Sequence, residues 1–312
     1  MTRTALFSQK QSGGMFTIYD LPKHPGNIWF VDSGATAATN ATGYGHNPDA
    51  PFATLDYAIG KCTASNGDVI YVMPGHAETT STAGTELFDL DVAGVSVIGL
   101  GTGDLRPTFT LAVGDATVVM GAASCTLENI RIIGNITDLV AGLEIEAAAD
   151  GCTVRNCYFA DSGTALDMLI AIAVTADADR LLFEGNHFVI TTGGEATNAV
   201  KFAGGCDSLI FRNNVLVGDW KGTDGAVGLA GAASTNILVH DNLIVNQDAS
   251  VGLCMDLHAS TTGGVFRNMA AGSKGNTETI SGGEAAHFGE NYGNDAVATT
   301  GILTPSSPTA WS

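Results

Sequence analysis

The sequence predicts an all-β chain coiled as a single-stranded parallel β-helix, with rungs of roughly 27 residues stacked along one axis. Three observations predict it. A short apolar–polar–Asn unit recurs at a near-constant step from residue 125 onward. A second short apolar segment follows each unit at a similar step. Helical periodicity is missing between them. Such units bury their apolar sides only by stacking on their neighbours.

The leading apolar residues of the units are Leu127, Val154, Phe183, Phe211 and Val239, at steps of 27, 29, 28 and 28. A degenerate sixth copy begins at Val265, 26 residues further on. Each unit reads as two β segments around a turn residue: Asn129, Asn156, Gly185, Asn213 or Asp241. These residue types tolerate the left-handed backbone region that a sharp corner needs. Asn186, Asn214 and Asn242 then share one position in three successive units. Stacked in register, their amides can hydrogen-bond along a column.

The residue after each leading position reads Glu128, Arg155, Glu184, Arg212, His240, so charge alternates up the stack. Opposite charges on adjacent strands attract at ~0.2–1 kcal/mol per pair, which makes this column a marker of register. The later apolar segments are Leu143–Ile145, Leu169–Ile172, Val200–Phe202, Val227–Leu229 and Leu253–Met255. The excess length of each rung falls before these segments, near 160–167, 191–198, 218–225 and 246–250, which places those loops along one edge.

Open strand edges at the ends of a solenoid invite aggregation unless covered. Pro51–Ile59 reads as a short amphipathic helix with Phe52, Leu55, Ala58 and Ile59 on one face, ahead of a strand at Asp68–Val72. This is the expected N-terminal cap. The expected division is an N-terminal arm over 1–28, the β-helix over 29–270, and an irregular segment over 271–312 that packs on the solenoid or on a partner chain. The arm holds Arg3, Lys10 and Lys23 against Asp20, a basic tail on an otherwise acidic chain. Phe7, Met15, Phe16 and Ile18 make it apolar as well. Arg3, Phe7, Lys10, Phe16 and Ile18 are the candidate anchoring residues.

The chain has 13 basic and 32 acidic residues, for a net charge of −19. That balance argues against nucleic-acid binding, which depends on neutralising phosphates. No apolar run is long enough to cross a membrane as a helix. The opening residues lack the apolar core of a secretion signal, so synthesis in the cytoplasm without export is expected. The six cysteines form neither a CxxC pair nor a zinc-spaced cluster and are read as free, buried thiols, with Cys125 and Cys152 stacked on one another.

Segments near both ends carry a family resemblance. Asn47–Leu55 precedes Gly67–Glu78, and Ala93–Gly101 follows. This opening resembles right-handed parallel β-helix proteins of the pectate-lyase-like class, and most of all those found in tailed-bacteriophage virions. Glu290-Asn291-Tyr292 and Gly301–Pro305 resemble the ending of that group. The resemblance covers roughly 28–305. It implies a homotrimeric virion protein, either a non-enzymatic capsid decoration or cement protein on the head exterior, or a tail fibre or tailspike that binds or depolymerises host polysaccharide. The brevity of the arm favours decoration, with the arm bound to the major capsid protein. No cofactor or metal is expected, and no catalytic residue is assigned.

Paired carboxylates would be needed for glycan hydrolysis. Glu144 and Glu146 flank Ile145 and point outward together, with Ala171 and Ala173 expected opposite them on the next rung. On the loop edge, Asp219, Trp220 and Asp224 stand close together, among Asp161, Asp167, Glu195 and Asp248. A Trp beside carboxylates suits an inter-subunit anchor or a sugar platform, and Asp219, Trp220 and Asp224 are the candidates for that contact. His76 and Glu78 are expected to fix the turn after Pro74-Gly75.

Overall fold

The computed structural model describes residues 9–11, 14–16, 26–163, 166–190, 193–273 and 279–293, with side-chain detail from residue 26 onward. Three parallel sheets of ten, nine and eight strands run the length of a parallel β-helix. Each rung visits them in turn. Thr126–Glu128 lies in the ten-stranded sheet, Arg131–Gly134 in the nine-stranded sheet and Leu139–Ile145 in the eight-stranded sheet. The predicted register is observed, with Leu127 against Val154, Val154 against Phe183, Phe183 against Phe211 and Phe211 against Val239.

From Asn129 onward the first corner of each rung is a two-residue turn. Its first residue is left-handed at Asn129, Asn156, Gly185, Asn213, Asp241, Arg267 and Glu290. Its second residue points inward. From Asn186 on it is always Asn, and the ladder has five members, adding Asn268 and Asn291 to the three read from sequence. Each Asn Oδ1 accepts the backbone N–H of the residue one rung earlier, at 2.9–3.1 Å within the ladder. Each Nδ2 donates to a strand carbonyl, as Asn214 does to Phe183. The ladder thus satisfies corner amides that no sheet reaches.

Large apolar side chains fill the centre. Phe109, Ile132, Phe159, Phe188, Leu216 and Ile244 form one buried column on the nine-stranded sheet, and the Phe159 and Phe188 rings stack 4.9 Å apart. The six cysteines are free; five are buried, and the Cys125 N–H lies 3.3 Å from Cys152 Sγ.

The ends differ from the expectation in two respects. The helix spans only Leu55–Ile59, with Leu55, Ala58 and Ile59 buried. Phe52 precedes it, in a bridge to Val31, because an outermost strand at Ile28–Val31 pairs with Val69–Val72 and draws that segment into the sheet. His76 and Glu78 hold this end together. The Ser33 N–H donates to His76 Nδ1 at 2.9 Å, His76 Nε2 meets Glu78 Oε1 at 2.8 Å, and Glu78 Oε1 accepts the Leu55 N–H at 2.7 Å. At the other end, coiling continues past residue 270, where irregular chain was expected. Ile280–Gly282, Ala286–Gly289 and Tyr292–Gly293 add a strand to each sheet. The rungs shorten there, to 23 residues between Asn268 and Asn291, which hides the period from a 27-residue template.

In the arm, Gln9–Gln11 pairs antiparallel with Gly14–Phe16, and these strands contain Lys10 and Phe16. Arg3, Phe7 and Ile18 lie outside the described residues, as does 294–312. Among the described residues no helix is long and apolar enough to cross a membrane.

Candidate functional site

The loop edge is built for structure. Trp220 is fully buried, so its ring is not presented to a sister chain or a sugar, and that expectation is corrected. Its backbone N–H donates to Asn246 Oδ1 at 3.0 Å, and Asn246 Nδ2 donates back to its carbonyl. Gly218 makes room, since a Cβ there would lie 2.8 Å from the indole. Asp219 is buried and accepts the Gly193 N–H at 2.7 Å. Asp167 accepts the Glu195 N–H, and Asp248 accepts the Val251 N–H. Asp224 pairs with Lys201 at 3.1 Å, and Glu195 with Lys221 at 3.0 Å. These carboxylates are tied to a neighbouring loop, a strand lysine or their own loop, so Asp219 and Asp224 do not form an open ligand face with Trp220.

The alternating column behaves as a rung-to-rung stitch. Arg155 meets Glu128 at 2.6 Å and Arg212 meets Glu184 at 2.8 Å. Asp241 departs from the pattern, drawing Arg267 to 2.8 Å beside His240. The hydrogen-bonded Arg267 guanidinium holds the Asp241 carboxyl well below its ordinary range.

The unneutralised acids gather elsewhere, outside the N-terminal rungs of the eight-stranded sheet. Glu144 stands opposite Ala173, a two-residue difference from the expected alignment, because the two strands pair in register from Leu139 and Met168 onward. Glu146 follows the buried Ile145 and is exposed. Asp89, two rungs before Glu146, faces it across Gly121. A Cβ on Gly121 would lie 3.1 Å from Asp89 Oδ1 and 3.3 Å from Glu146 Oε2. Asp89 Oδ1 is buried without a hydrogen-bond partner. Burial pushes the Asp89 carboxyl up to about 6, helped by repulsion from Glu86, Asp91, Glu146 and Asp56. Burial likewise raises Glu144, with Glu146 and Glu86 adding to it. Sequence reading missed Asp89 and Asp56 because they lie in rungs before the repeat begins. Among the described residues, no group of three His, Cys, Asp or Glu side chains is placed to hold a metal ion.

A carboxyl raised by folding takes up a proton more readily in the folded state, so its contribution to stability falls as pH rises from about 4 through about 6. Asp89→Asn is expected to raise the melting temperature at pH 7 and to leave it nearly unchanged at pH 4. Solvent screening at this half-exposed site limits the gain to about 1 kcal/mol. Thermal melts of both chains at the two pH values check this.

No family model and no curated protein sequence matches the chain. Among solved structures it is similar to a rhamnogalacturonan lyase, at 15% identity and a TM-score of 0.42, over 85% of this chain and 87% of that one. It is also similar to a pectate lyase, at 13% identity and a TM-score of 0.44, over 91% of this chain and 80% of that one. The likeness is one of fold alone, and the strand order by itself makes the chain a parallel β-helix.

Proposed function

We propose that this chain is a non-enzymatic structural protein of a phage virion surface: a homotrimer seated on the major capsid protein through residues 1–28, with its acidic solenoid turned to solvent. One observation carries the reading. On the outer face of the nine-stranded sheet, Val189, Leu243, Met269 and Tyr292 are 39%, 38%, 58% and 50% exposed. Val215, Val217 and Val245 lie half-buried among them, in two adjacent columns. No Asp, Glu, Lys or Arg interrupts these columns from His187 to Tyr292. A contiguous apolar patch of this kind marks a contact surface. The occupant proposed is a second copy of the chain. At a net charge of −19, copies repel through most of their surfaces, and this uncharged face is where they can approach.

The test is mass in solution. Light scattering of the intact chain is expected to give three times 31.9 kDa, and Leu243→Lys with Met269→Lys is expected to give the single-chain mass with an unchanged circular dichroism spectrum. A wild-type monomer, or an unaffected double variant, contradicts the face assigned here.

A second reading, binding or depolymerisation of a host surface polysaccharide, is favoured by Asp89 and Glu146. Glycoside hydrolysis uses two carboxyls, one of them raised so as to donate a proton. If that reading holds, Asp89→Asn and Glu146→Gln each abolish depolymerisation by the purified protein.

A further inference from the structure

Where the chain passes from the eight-stranded sheet to the ten-stranded one, two thiols stand one above the other on the inner side of the corner. Cys125 precedes Thr126–Glu128 and Cys152 precedes Thr153–Arg155, and these strands pair in register from Thr126 against Thr153. The Cys125 carbonyl accepts the Thr153 N–H at 2.9 Å, and the Cys125 N–H lies 3.3 Å from Cys152 Sγ. Neighbouring strands lie about 4.8 Å apart, within the ~4.4–6.8 Å between Cα atoms that a disulfide spans. The rest of the column is aliphatic and buried, with Val95 before the pair and Leu181 and Leu209 after it.

The other cysteines have different neighbours. One rung on from Cys157 and Cys206 stand Asn186 and Ser234, whose side-chain oxygens accept the cysteine N–H groups at 3.0 and 3.2 Å. The Cys254 N–H donates to the Thr279 carbonyl at 2.9 Å. Cys62 follows the helix, with Sγ 3.4 Å from the Ala58 carbonyl. Cys125 and Cys152 are buried, at 0% and 1% exposure. Even so, Ser124 beside Cys125 is exposed and Gly151 beside Cys152 is half-buried, so one residue separates each sulfur from solvent. Hydrogen bonding from Cys152 draws the Cys125 thiol below its ordinary range, against the opposing effect of burial. That makes Cys125 the sulfur that meets an oxidant first, since the thiolate is the nucleophile.

We propose that Cys125 and Cys152 are a site of oxidative modification, where a peroxide forms a disulfide that braces two adjacent rungs. The Cys125 thiolate attacks one peroxide oxygen. The O–O bond breaks, hydroxide leaves and takes up the thiol's proton as water, and a sulfenic acid remains on Cys125. The Cys152 sulfur then attacks Cys125 Sγ. The S–S bond forms, the S–O bond breaks, and a second water leaves with the Cys152 proton. Two electrons pass from the two sulfurs to the peroxide. The bridge joins residues 27 apart in sequence and constrains the unfolded chain accordingly. It also ties together two rungs that are otherwise joined by ladder hydrogen bonds and packing. The inference stands apart from the assembly reading.

Treatment of the folded, full chain with hydrogen peroxide tests it, followed by unfolding and labelling of the free thiols. All six cysteines take label before treatment, and two fewer are expected to do so afterwards, with reductant restoring the loss. Peptide mapping without reductant should join the segment holding Cys125 to the one holding Cys152. Cys62→Ala should still form this bridge, and Cys125→Ala and Cys152→Ala should form none. The bridged chain is expected to melt several degrees above the reduced chain, an increase missing from Cys152→Ala. Six labels after treatment overturn the proposal. So does a bridge through any other cysteine, or a loss of label that reductant does not reverse, which marks sulfinic acid in place of a disulfide. A bridged chain that melts no higher than the reduced one overturns the brace. The wild-type map needs no substitution, so a variant that fails to fold leaves the test intact.

Discussion

Asn242→Ala is expected to destabilise the fold by about 3–5 kcal/mol. The side chain makes four hydrogen bonds in a buried column. Its Oδ1 accepts from the Asn214 backbone N–H at 2.9 Å and from Asn214 Nδ2 at 3.0 Å. Its Nδ2 donates to the Phe211 carbonyl at 2.9 Å and to Asn268 Oδ1 at 2.8 Å. Each bond is worth about 1 kcal/mol net, and a buried donor left unpaired costs a further ~1–3 kcal/mol. The corner gives water little access, because Asn214, Asn242 and Asn268 are all almost fully buried. Chemical denaturation of the variant checks the size. A loss below about 1 kcal/mol would mean that water or a neighbour replaces the amide, and that the ladder is incidental to stability.

Trp220→Ala is expected to cost about 3–5 kcal/mol as well, by a different route, since truncating a large buried aromatic removes its burial and leaves a cavity. The indole Nε1 is buried with no hydrogen-bond partner. Trp220→Phe therefore removes an unsatisfied donor along with some volume, and should cost much less than the alanine change. Neither substitution is expected to alter oligomer mass beyond what unfolding causes, because the ring faces the core. A folded Trp220→Ala chain that had lost its trimer would restore the anchoring role the sequence suggested. Denaturation and light scattering on the same samples separate these outcomes.

The contrast between these two residues shows what the sequence made legible. Asn242 was readable because a repeat aligns it with Asn186 and Asn214, and identity at a fixed step has one simple physical meaning in a stack. Asn268 and Asn291 belong to the same column, yet fell outside the reading because the rungs shorten to 26 and then 23 residues. Trp220 was misread because its flanking acids suggested an exposed loop. Its burial depends on Gly218 and on Asn246 from the next rung, which local sequence does not announce.

The sites followed the same division. The Glu128–Arg155 and Glu184–Arg212 pairs were visible as a column. The approach of Asp89 to Glu146 was hidden, since Asp89 precedes the repeat and has no register to be counted in.

The proposed role on a virion surface is tested most directly by cryo-electron microscopy of the phage proposed to carry this chain. The expected result is trimeric β-helix density repeated across the capsid lattice, with the first 28 residues against the major capsid protein. Particles that lack the protein, or carry it only in a few copies at the tail tip, would contradict it.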